Sequence, residues 1–489
     1  MRREDSRTVR LAARAAGASE SELEQRLSRA AVHVTIDPHL PGAIDCAEVL
    51  IATLQRGLGR VSLDPDGLAA AAIDRLDHAA ARIRPQRPIV IGPPSPSATR
   101  IAIGGVAGEF AVVPDAHGAR LSRRGLAQQQ RRPTMLGIVY AASLAAAEAF
   151  KEAAGIRGEH CVRHQRLDFC PVTLGPDLGR AALPTARWEP IVTLAGVGAI
   201  GTAHALILGG LAESGAAVLL DRQNYTAENL GTYSLGGAAD VVAATAKVAL
   251  AERALRGWRH HPLTGELADA ITAIDRHELP WTPIVLAGLD NHPARRDAQR
   301  LQADRLIDAA TGDTAVGLRD TRPEGPCLAC MLAPPATRSP IEALVALGIP
   351  RELARAPGDL VVDERIIAAA SDDAARAVLT AQRGTPICGL LRAAGLSDAD
   401  AGDYMPSVPF VSQQAACLGV GRLVAIATGI DAQLPNFVQY DTLIGPDRAI
   451  HQRRAATPGC TCQQRAATIA QVRRERRAAT ASAFGAKDR

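Results

Sequence analysis

The sequence predicts an α/β protein built from two Rossmann-like domains. The first observation is an apolar run, Ile191 to Ala195, that leads into a glycine-rich turn, a small-residue helix and a second apolar run ending in Asp221. The second is an echo of this pattern in the first half, from Thr35 to Asp64. The third is an alanine-rich helix in each half, closed by Gly155 in one and Gly429 in the other. Together these observations indicate a divergent internal repeat.

The glycine-rich turn of the second half has the pattern of a nucleotide-binding loop. Its glycines are Gly196, Gly198 and Gly201. The outer two allow a tight turn and a close approach of helix to strand, and Gly198 lets a phosphate reach N–H groups at the helix N-terminus. Asp221 follows about twenty residues later, where an acid binds ribose hydroxyls. The loop alone suits NAD, FAD or ATP.

The first-half copy lacks these features. Val32 to Ile36 is predicted as a strand and Ala43 to Arg56 as a helix, but residues 37–42 between them read DPHLPG. This turn has no glycine pattern and is not expected to cradle a phosphate. The first half is therefore predicted to be a degenerate copy, with an unrelated α/β domain as the alternative.

Composition excludes several classes of function. The chain has 489 residues, of which 47% are hydrophobic and 22% charged, and its net charge of +4 is too small to indicate nucleic acid binding. No stretch reaches 18 uncharged apolar residues, so we expect no membrane span. The basic N-terminus lacks the apolar core of a signal peptide. We therefore expect a cytoplasmic protein in which metal or catalytic use of cysteines is favoured over disulfides, the chain having nine cysteines.

Further polar residues follow Asp221 in a fixed order. They are Asn229, Lys247, Asp290, Asn291 and Arg295. A nicotinamide-binding domain has no use for this set. The order resembles that of the ubiquitin-activating-enzyme superfamily, which includes the adenylyltransferases for the sulfur carriers of thiamine and molybdopterin synthesis.

The resemblance implies ATP-dependent adenylation of a protein's C-terminal carboxylate. Gly196, Gly198, Gly201, Asp221, Asn229, Lys247, Asp290, Asn291 and Arg295 would bind ATP. Asp290 would also hold Mg²⁺, and Lys247 would place a charge at the triphosphate. Taken singly, each residue has a structural explanation, such as Asp290 capping the helix that follows it.

The sequence departs from the family pattern at Thr232, which occupies the place of a phosphate-binding arginine. Gln223 likewise replaces an acid of the usual triplet. We expect another cation to compensate, with Arg131, Arg132 or the N-terminal arginines as candidates across the paired domains.

Two cysteine pairs predict a structural zinc site. They are Cys327 with Cys330, and Cys460 with Cys462. Four thiolates suit tetrahedral Zn²⁺. The alternative for the first pair is redox chemistry, but its context is not a thioredoxin-like βαβ unit.

Cys388 is the predicted catalytic nucleophile. In the family the nucleophile lies between the zinc pairs, before the last long helix, and Cys388 has that place, flanked by Pro386 and Gly389. Its thiolate would attack the acyl-adenylate to give a thioester. Some relatives dispense with such a cysteine. Core positions are predicted for Cys46, Cys161, Cys170 and Cys417.

The predicted domain order combines these features. It comprises a helical lead-in (1–30), an inactive adenylation-like domain (31–175), an active ATP-binding domain with its zinc site (176–337 and 405–462), a helical catalytic-cysteine insertion (338–404) and a basic tail (463–489), with a linker at 160–188. The tail is expected to be solvated, with docking of an acidic partner as the alternative.

Three functions follow in order of preference. The first is an activating enzyme for a ubiquitin-like carrier protein, which would pass the carrier to a conjugating enzyme. The second is a sulfur-carrier adenylyltransferase. The third is a nicotinamide-dependent dehydrogenase or a non-catalytic Rossmann module. The resemblance implies a pseudo-dimer within one chain and leaves a homodimer of chains open.

Overall fold

A computed structural model of the protein describes residues 6–105, 108–124, 131–158, 161–178, 188–332, 345, 348–351, 362–381, 383–384 and 408–485. The chain forms two compact units. The main unit comprises residues 1–290, 294–331 and 405–489, and the insertion unit comprises residues 291–293 and 332–404.

The first half of the main unit forms a seven-stranded sheet in the order β3-β2-β1-β4-β5-β6-β7. Strands β1 to β5 are parallel to one another, and β6 and β7 extend the sheet through antiparallel pairings. The strands are β1 (Ala31–Ile36), β2 (Arg60–Leu63), β3 (Val90–Ile91), β4 (Thr99–Ile103), β5 (Phe110–Asp115), β6 (Gly118–Ser122) and β7 (Arg166–Phe169).

The second half forms an eight-stranded sheet in the order β10-β9-β8-β11-β12-β13-β14-β15. Its strands are β8 (Ile191–Ala195), β9 (Ala216–Leu220), β10 (Arg259–Leu263), β11 (Ile284–Ala287), β12 (Arg305–Gly312), β13 (Ala315–Thr321), β14 (Phe437–Asp441) and β15 (Ile450–Gln452). The strands from β10 to β12 are parallel, and the remaining pairings are antiparallel. Each strand from β1 to β7 thus has a counterpart seven strands later, the order expected of an internal repeat.

Helices cover the sheets and join the two halves. In the main unit they are α1 (Ser6–Ala16), α2 (Glu20–Arg29), α3 (Ala43–Gly57), α4 (Ala70–Ile83), α5 (Met135–Ala154), α6 (Ala199–Leu211), α7 (Ala227–Leu230), α8 (Ala238–Val242), α9 (Lys247–Ala254), α10 (Leu267–Asp275), α11 (His292–Ala298, which begins in the insertion unit), α12 (Leu328–Met331), α15 (Pro409–Ala427), α16 (Thr461–Gln464) and α17 (Ala466–Gly485). Helices α13 (Glu364–Ala368) and α14 (Asp373–Ala381) belong to the insertion unit. Short 3₁₀ turns lie at Gln299–Leu301, Asp431–Gln433 and Pro446–Arg448.

The core of the main unit runs across both halves. Helix α5 packs against α3 and α15, and α15 packs against α6. The predicted stop of α5 is confirmed, because Gly155 caps it with φ of +67°. Helix α15 is long and apolar enough to cross a membrane, but 89% of its apolar window is buried inside the protein, as in a core helix.

Two segments contain regular structure that their predictions did not include. The linker predicted at 160–188 contains β7, which pairs with β6 of the first sheet. The predicted solvated tail contains α17, whose Arg476 donates hydrogen bonds to the carbonyl oxygens of Arg300 and Leu301 and pairs with Asp275. Most described residues of this helix are exposed or partly exposed, so the solvated segment is held to the main unit by a few arginine contacts.

Candidate nucleotide site and metal centre

The glycine-rich turn joins β8 to α6 at the carboxyl edge of the second sheet. Gly196 has φ of +85°, a conformation that favours glycine. A side chain at Gly201 would collide with the carbonyl oxygen of Gly196, so the close approach of helix to strand requires glycine there. The turn therefore has the two conformational features of a phosphate-binding loop.

Asp221 follows the neighbouring strand β9 and holds the turn in place. Its Oδ2 accepts a hydrogen bond of 2.9 Å from the N–H of Val197, and its Oδ1 accepts one of 2.9 Å from the N–H of Gln223. Burial raises the pKa of Asp221, while the charge of Lys247 opposes that shift. The acid thus binds the backbone of the loop, and its contact with ribose stays a prediction.

Lys247 begins α9, as predicted from the sequence. Its side chain is buried, and Nζ donates a 2.6 Å hydrogen bond to Oε1 of Gln223. Burial lowers the pKa of Lys247, and the charges of Asp221 and Asp290 act in the opposite direction. The two carboxylates favour the ammonium form, which makes this buried lysine a candidate contact for an anionic ligand.

Asp290 comes shortly after β11 and interacts electrostatically with Asp221 and Lys247. Its charge raises the pKa values of Asp221 and Lys247, which shows that the three side chains share one electrostatic environment. The structure therefore brings together the predicted ribose acid, the predicted triphosphate lysine and the predicted magnesium ligand. Asn291, the next residue, groups with the insertion unit.

The other two predicted ATP ligands make structural contacts. Oδ1 of Asn229 accepts hydrogen bonds from the N–H and the hydroxyl of Thr226, at 3.0 and 3.2 Å, and so caps α7. Nε of Arg295 donates a 2.9 Å hydrogen bond to the carbonyl oxygen of Leu289 and lies 3.6 Å from Asp308. Both side chains are buried and position the loops that lead to the site. Their contact with ATP stays a prediction.

Arg7, one of the N-terminal arginines, interacts with residues of the candidate site. Thr232 itself is fully buried. Arg7, from α1, lies 3.8 Å from Glu228 through its Nη2, and its charge lowers the pKa values of Lys247 and Tyr233. An N-terminal arginine of the first half therefore acts electrostatically on two residues of the candidate site in the second half.

Sequence reasoning did not identify Tyr233 as a residue of the site. Its ring centroid lies 5.2 Å from Nζ of Lys247, and its hydroxyl would lie 3.7 Å from a Cβ added to Gly198. The ring also packs edge-on against Tyr225 at 5.5 Å. No motif marks this tyrosine, and only its place directly after Thr232, where the family pattern breaks, could have drawn attention to it.

The two cysteine pairs form one cluster. Sγ–Sγ distances are 3.7 Å for Cys327–Cys330, 3.6 Å for Cys327–Cys460 and 3.7 Å for Cys330–Cys462. All four sulfur atoms lie within 4.8 Å of one another. Tetrahedral zinc with Zn–S bonds of about 2.3 Å requires sulfur atoms about 3.8 Å apart, so the donor set fits a zinc site.

The remaining cysteines divide into core positions and one untested candidate. Cys46, Cys170 and Cys417 are buried, as predicted, and Cys161 is partly exposed. Burial raises the pKa of all four thiols, which makes them poor nucleophiles. Cys388 lies outside the described residues, so its role stays a prediction.

Comparison with known proteins gives a weak likeness in fold. No family model matches the chain, and no curated protein matches it. Among solved structures, E. coli MccB with selenomethionine MccA is 15% identical at a TM-score of 0.35, over 56% of this chain and 66% of that one. The microcin C7 biosynthetic enzyme MccB in complex with N-formylated MccA has a TM-score of 0.33, at the same identity and over 67% of its chain. The chain thus spans about two-thirds of the MccB chain, and a likeness at these TM-scores supports no functional conclusion.

Proposed function

We propose that the protein adenylates the C-terminal carboxylate of a ubiquitin-like protein at the expense of ATP. The observation that carries the proposal is the shared environment of Asp221, Lys247 and Asp290 beside the glycine-rich turn. A dehydrogenase has no use for a buried lysine and a second acid at this position. An acyl-adenylating site needs both, because charge develops on the triphosphate as the α-phosphorus is attacked.

Each side chain has a distinct role in this reaction. Asp221 binds the ribose, and the N-terminus of α6 faces the phosphates. Lys247 neutralises phosphate charge, and Arg7 supplies the cation missing at Thr232. The carrier's carboxylate attacks the α-phosphorus, the bond to the β-phosphate oxygen breaks, and pyrophosphate leaves. Asp290 would hold Mg²⁺, which offsets charge on the phosphates.

We assign the reaction to the second half alone. In the second half, residues 196–198 separate β8 from α6, whereas in the first half the longer segment 37–42 separates β1 from α3. A Cβ added to Gly42, just before α3, would collide with the ring of Pro133. These differences leave the first half without a phosphate-sized turn and support a structural role for it.

We further propose that Cys388 receives the acyl group. Its thiolate would attack the carbonyl carbon of the acyl-adenylate, the bond to the phosphate oxygen would break, and AMP would leave. The thioester would then pass to a conjugating enzyme. The zinc cluster would have a structural role in joining the segment after β13 to the C-terminal segment.

Exchange of radiolabelled pyrophosphate into ATP tests the adenylation step. The purified chain should catalyse exchange only when a small ubiquitin-like carrier is added. Asp290→Ala should abolish exchange, whereas Asp297→Ala, an exposed acid of α11, should leave it intact. Failure of exchange with every candidate carrier, together with unaltered ATP binding by Asp290→Ala, would refute the proposal.

Non-reducing gels test the transfer step separately. Wild-type protein should form a thiol-sensitive adduct with the carrier, and Cys388→Ser should form an adduct that thiols do not cleave. Cys161→Ser serves as the control, since that thiol lies outside the proposed pathway. An adduct that persists in Cys388→Ala would remove this cysteine from the mechanism while leaving adenylation in place.

A further inference from the structure

Arg56 is a fully buried arginine that joins the two halves of the main unit. It lies at the end of α3 in the first half and is 1% exposed. Its guanidinium donates hydrogen bonds to the carbonyl oxygens of Leu230 (2.7 Å), Gly236 (2.9 Å) and Ser234 (3.4 Å), and to the hydroxyl of Tyr225 (3.5 Å). All these acceptors lie in one segment of the second half, residues 225–237, which we call the tyrosine loop.

Burying the charge of Arg56 costs free energy that its contacts offset only in part. Among the described residues, every hydrogen bond from the Arg56 side chain goes to a neutral oxygen. Burial lowers its pKa, and the like charges of Arg82 and Arg84 act in the same direction. A buried cation without a carboxylate stabilises a fold poorly, so hydrogen bonding to several carbonyls is its main compensation. This cost points to a positional role for the side chain.

The tyrosine loop is shaped to fit the first half closely. Gly236 has φ of +79°, and a Cβ there would lie 2.8 Å from the ring of Tyr225. A Cβ on Gly237 would collide with the carbonyl oxygen of Arg82, on α4. The first half therefore holds this loop through both hydrogen bonds and close backbone contact.

The same loop forms one wall of the candidate nucleotide site. It carries Tyr233, whose ring lies 5.2 Å from Nζ of Lys247 and whose hydroxyl approaches Gly198. Tyr233 in turn packs on Tyr225, the residue whose hydroxyl Arg56 contacts. A shift of the loop would move this wall relative to the glycine-rich turn.

We infer that Arg56 is a positioning residue through which the first half sets the tyrosine loop for ATP binding by the second half. This inference rests on the proposed function, since it concerns the same nucleotide site. The inference gives the first half a defined role, because Arg56 of that half holds a loop of the second half, where ATP would bind. Arg56 itself lies behind the loop and is not a catalytic residue.

Two substitutions and one control test this role. Arg56→Met keeps the length of the side chain but removes every donor, and Arg56→Lys keeps the charge with a shorter reach. Arg123→Met is the control, because Arg123 is also a poorly exposed arginine of the first half but pairs with Glu148, 2.6 Å away. Mg·ATP is titrated into each protein, and amide hydrogen exchange of residues 225–237 is followed by mass spectrometry.

The expected result is a local and graded defect. Arg56→Met should bind ATP about tenfold more weakly, because the released loop must be ordered again when ATP binds and one hydrogen bond from a charged donor is worth about that factor. Its tyrosine loop should exchange faster, while the strands of the second sheet keep their protection. Arg56→Lys should recover part of both losses, and Arg123→Met should behave as wild type.

Three outcomes would overturn the inference. They are unchanged ATP affinity and loop exchange in Arg56→Met, an equal loss in Arg123→Met, and faster exchange spread over the whole second half. If Arg56→Met fails to fold by circular dichroism, Arg56→Lys decides by the same criteria. Wild-type protein that binds no ATP would instead refute the proposed function, a result that the titration registers before any variant is compared.

Discussion

The ammonium nitrogen of Lys247 lies 5.2 Å from the ring centroid of Tyr233 and donates a hydrogen bond to the neutral amide of Gln223. The departure from the acidic triplet at Gln223 thus has a structural consequence. A carboxylate at this position would pair with the lysine, whereas an amide fixes its direction without cancelling its charge. The amide and the tyrosine face orient the ammonium, while the charges of Asp221 and Asp290 favour its charged form.

Replacing Lys247 should separate binding from stability. Because burial lowers the pKa of Lys247, folding disfavours its charged form. This cost to the free energy of unfolding is present in full at every pH below the pKa of the folded state. We expect Lys247→Met to bind ATP at least about tenfold more weakly, with no loss in the midpoint of thermal unfolding. Titration calorimetry and circular dichroism would measure the two quantities.

The same residue predicts a pH dependence. As pH rises towards the ordinary lysine value of 10.5, Lys247 should lose its proton early, and ATP affinity should fall with it. Lys247→Arg should bind ATP with no such decline, since a guanidinium stays charged. A wild-type affinity that is flat over the alkaline range would count against contact between this ammonium and the phosphates.

Asp221 and Asp64 occupy equivalent positions in the two halves, so replacing each of them tests whether only the second half binds ATP. Each follows the second strand of its sheet, and each accepts a hydrogen bond from a backbone N–H two residues later. Asp221→Ala should abolish detectable ATP binding, because it removes the ribose acid and frees the N–H of Val197. Asp64→Ala should leave ATP binding unchanged, and a loss there would mean that the first half also binds nucleotide.

Local patterns in the sequence were sufficient for part of the site. The turn at Gly196, the acid at Asp221 and the helix that begins at Lys247 are each set by neighbours within a few residues. For that reason a strand–turn–helix pattern could predict them. The metal cluster could also be predicted, since the spacing of the two cysteine pairs suggests a shared metal.

The rest of the site depends on contacts between distant segments. Arg7 and Arg56 reach the second half from helices of the first, and neither belongs to a motif that marks it. Arg476 similarly binds carbonyls more than 170 residues earlier in the chain, a contact that the composition of its segment does not indicate. Hydrophobic periodicity and motif spacing cannot identify contacts between residues so far apart in the sequence, because these residues meet only in the folded protein.

Arg7 is expected to contribute to catalysis across the halves. It would supply the positive charge that Thr232 does not, so Arg7→Met should slow pyrophosphate exchange by about tenfold or more. Arg10→Met is the control on the same helix, since Arg10 pairs with Glu20 of the first half, 3.5 Å away. Equal exchange rates for the two variants would assign the missing cation to another residue.

The cysteine cluster should bind zinc and stabilise the C-terminal segment. Cys330 lies at the centre of its contacts, close to Cys327 and Cys462 and accepting a hydrogen bond from the N–H of Thr457. Loss of a structural zinc removes several kcal/mol, so Cys330→Ser should lower the unfolding midpoint by about 10 °C and abolish zinc detected by elemental analysis. Cys161→Ser should keep both the metal and the midpoint, because its thiol is outside the cluster. Purified wild-type protein that contains no zinc, and whose midpoint does not rise when zinc is added, would contradict this assignment.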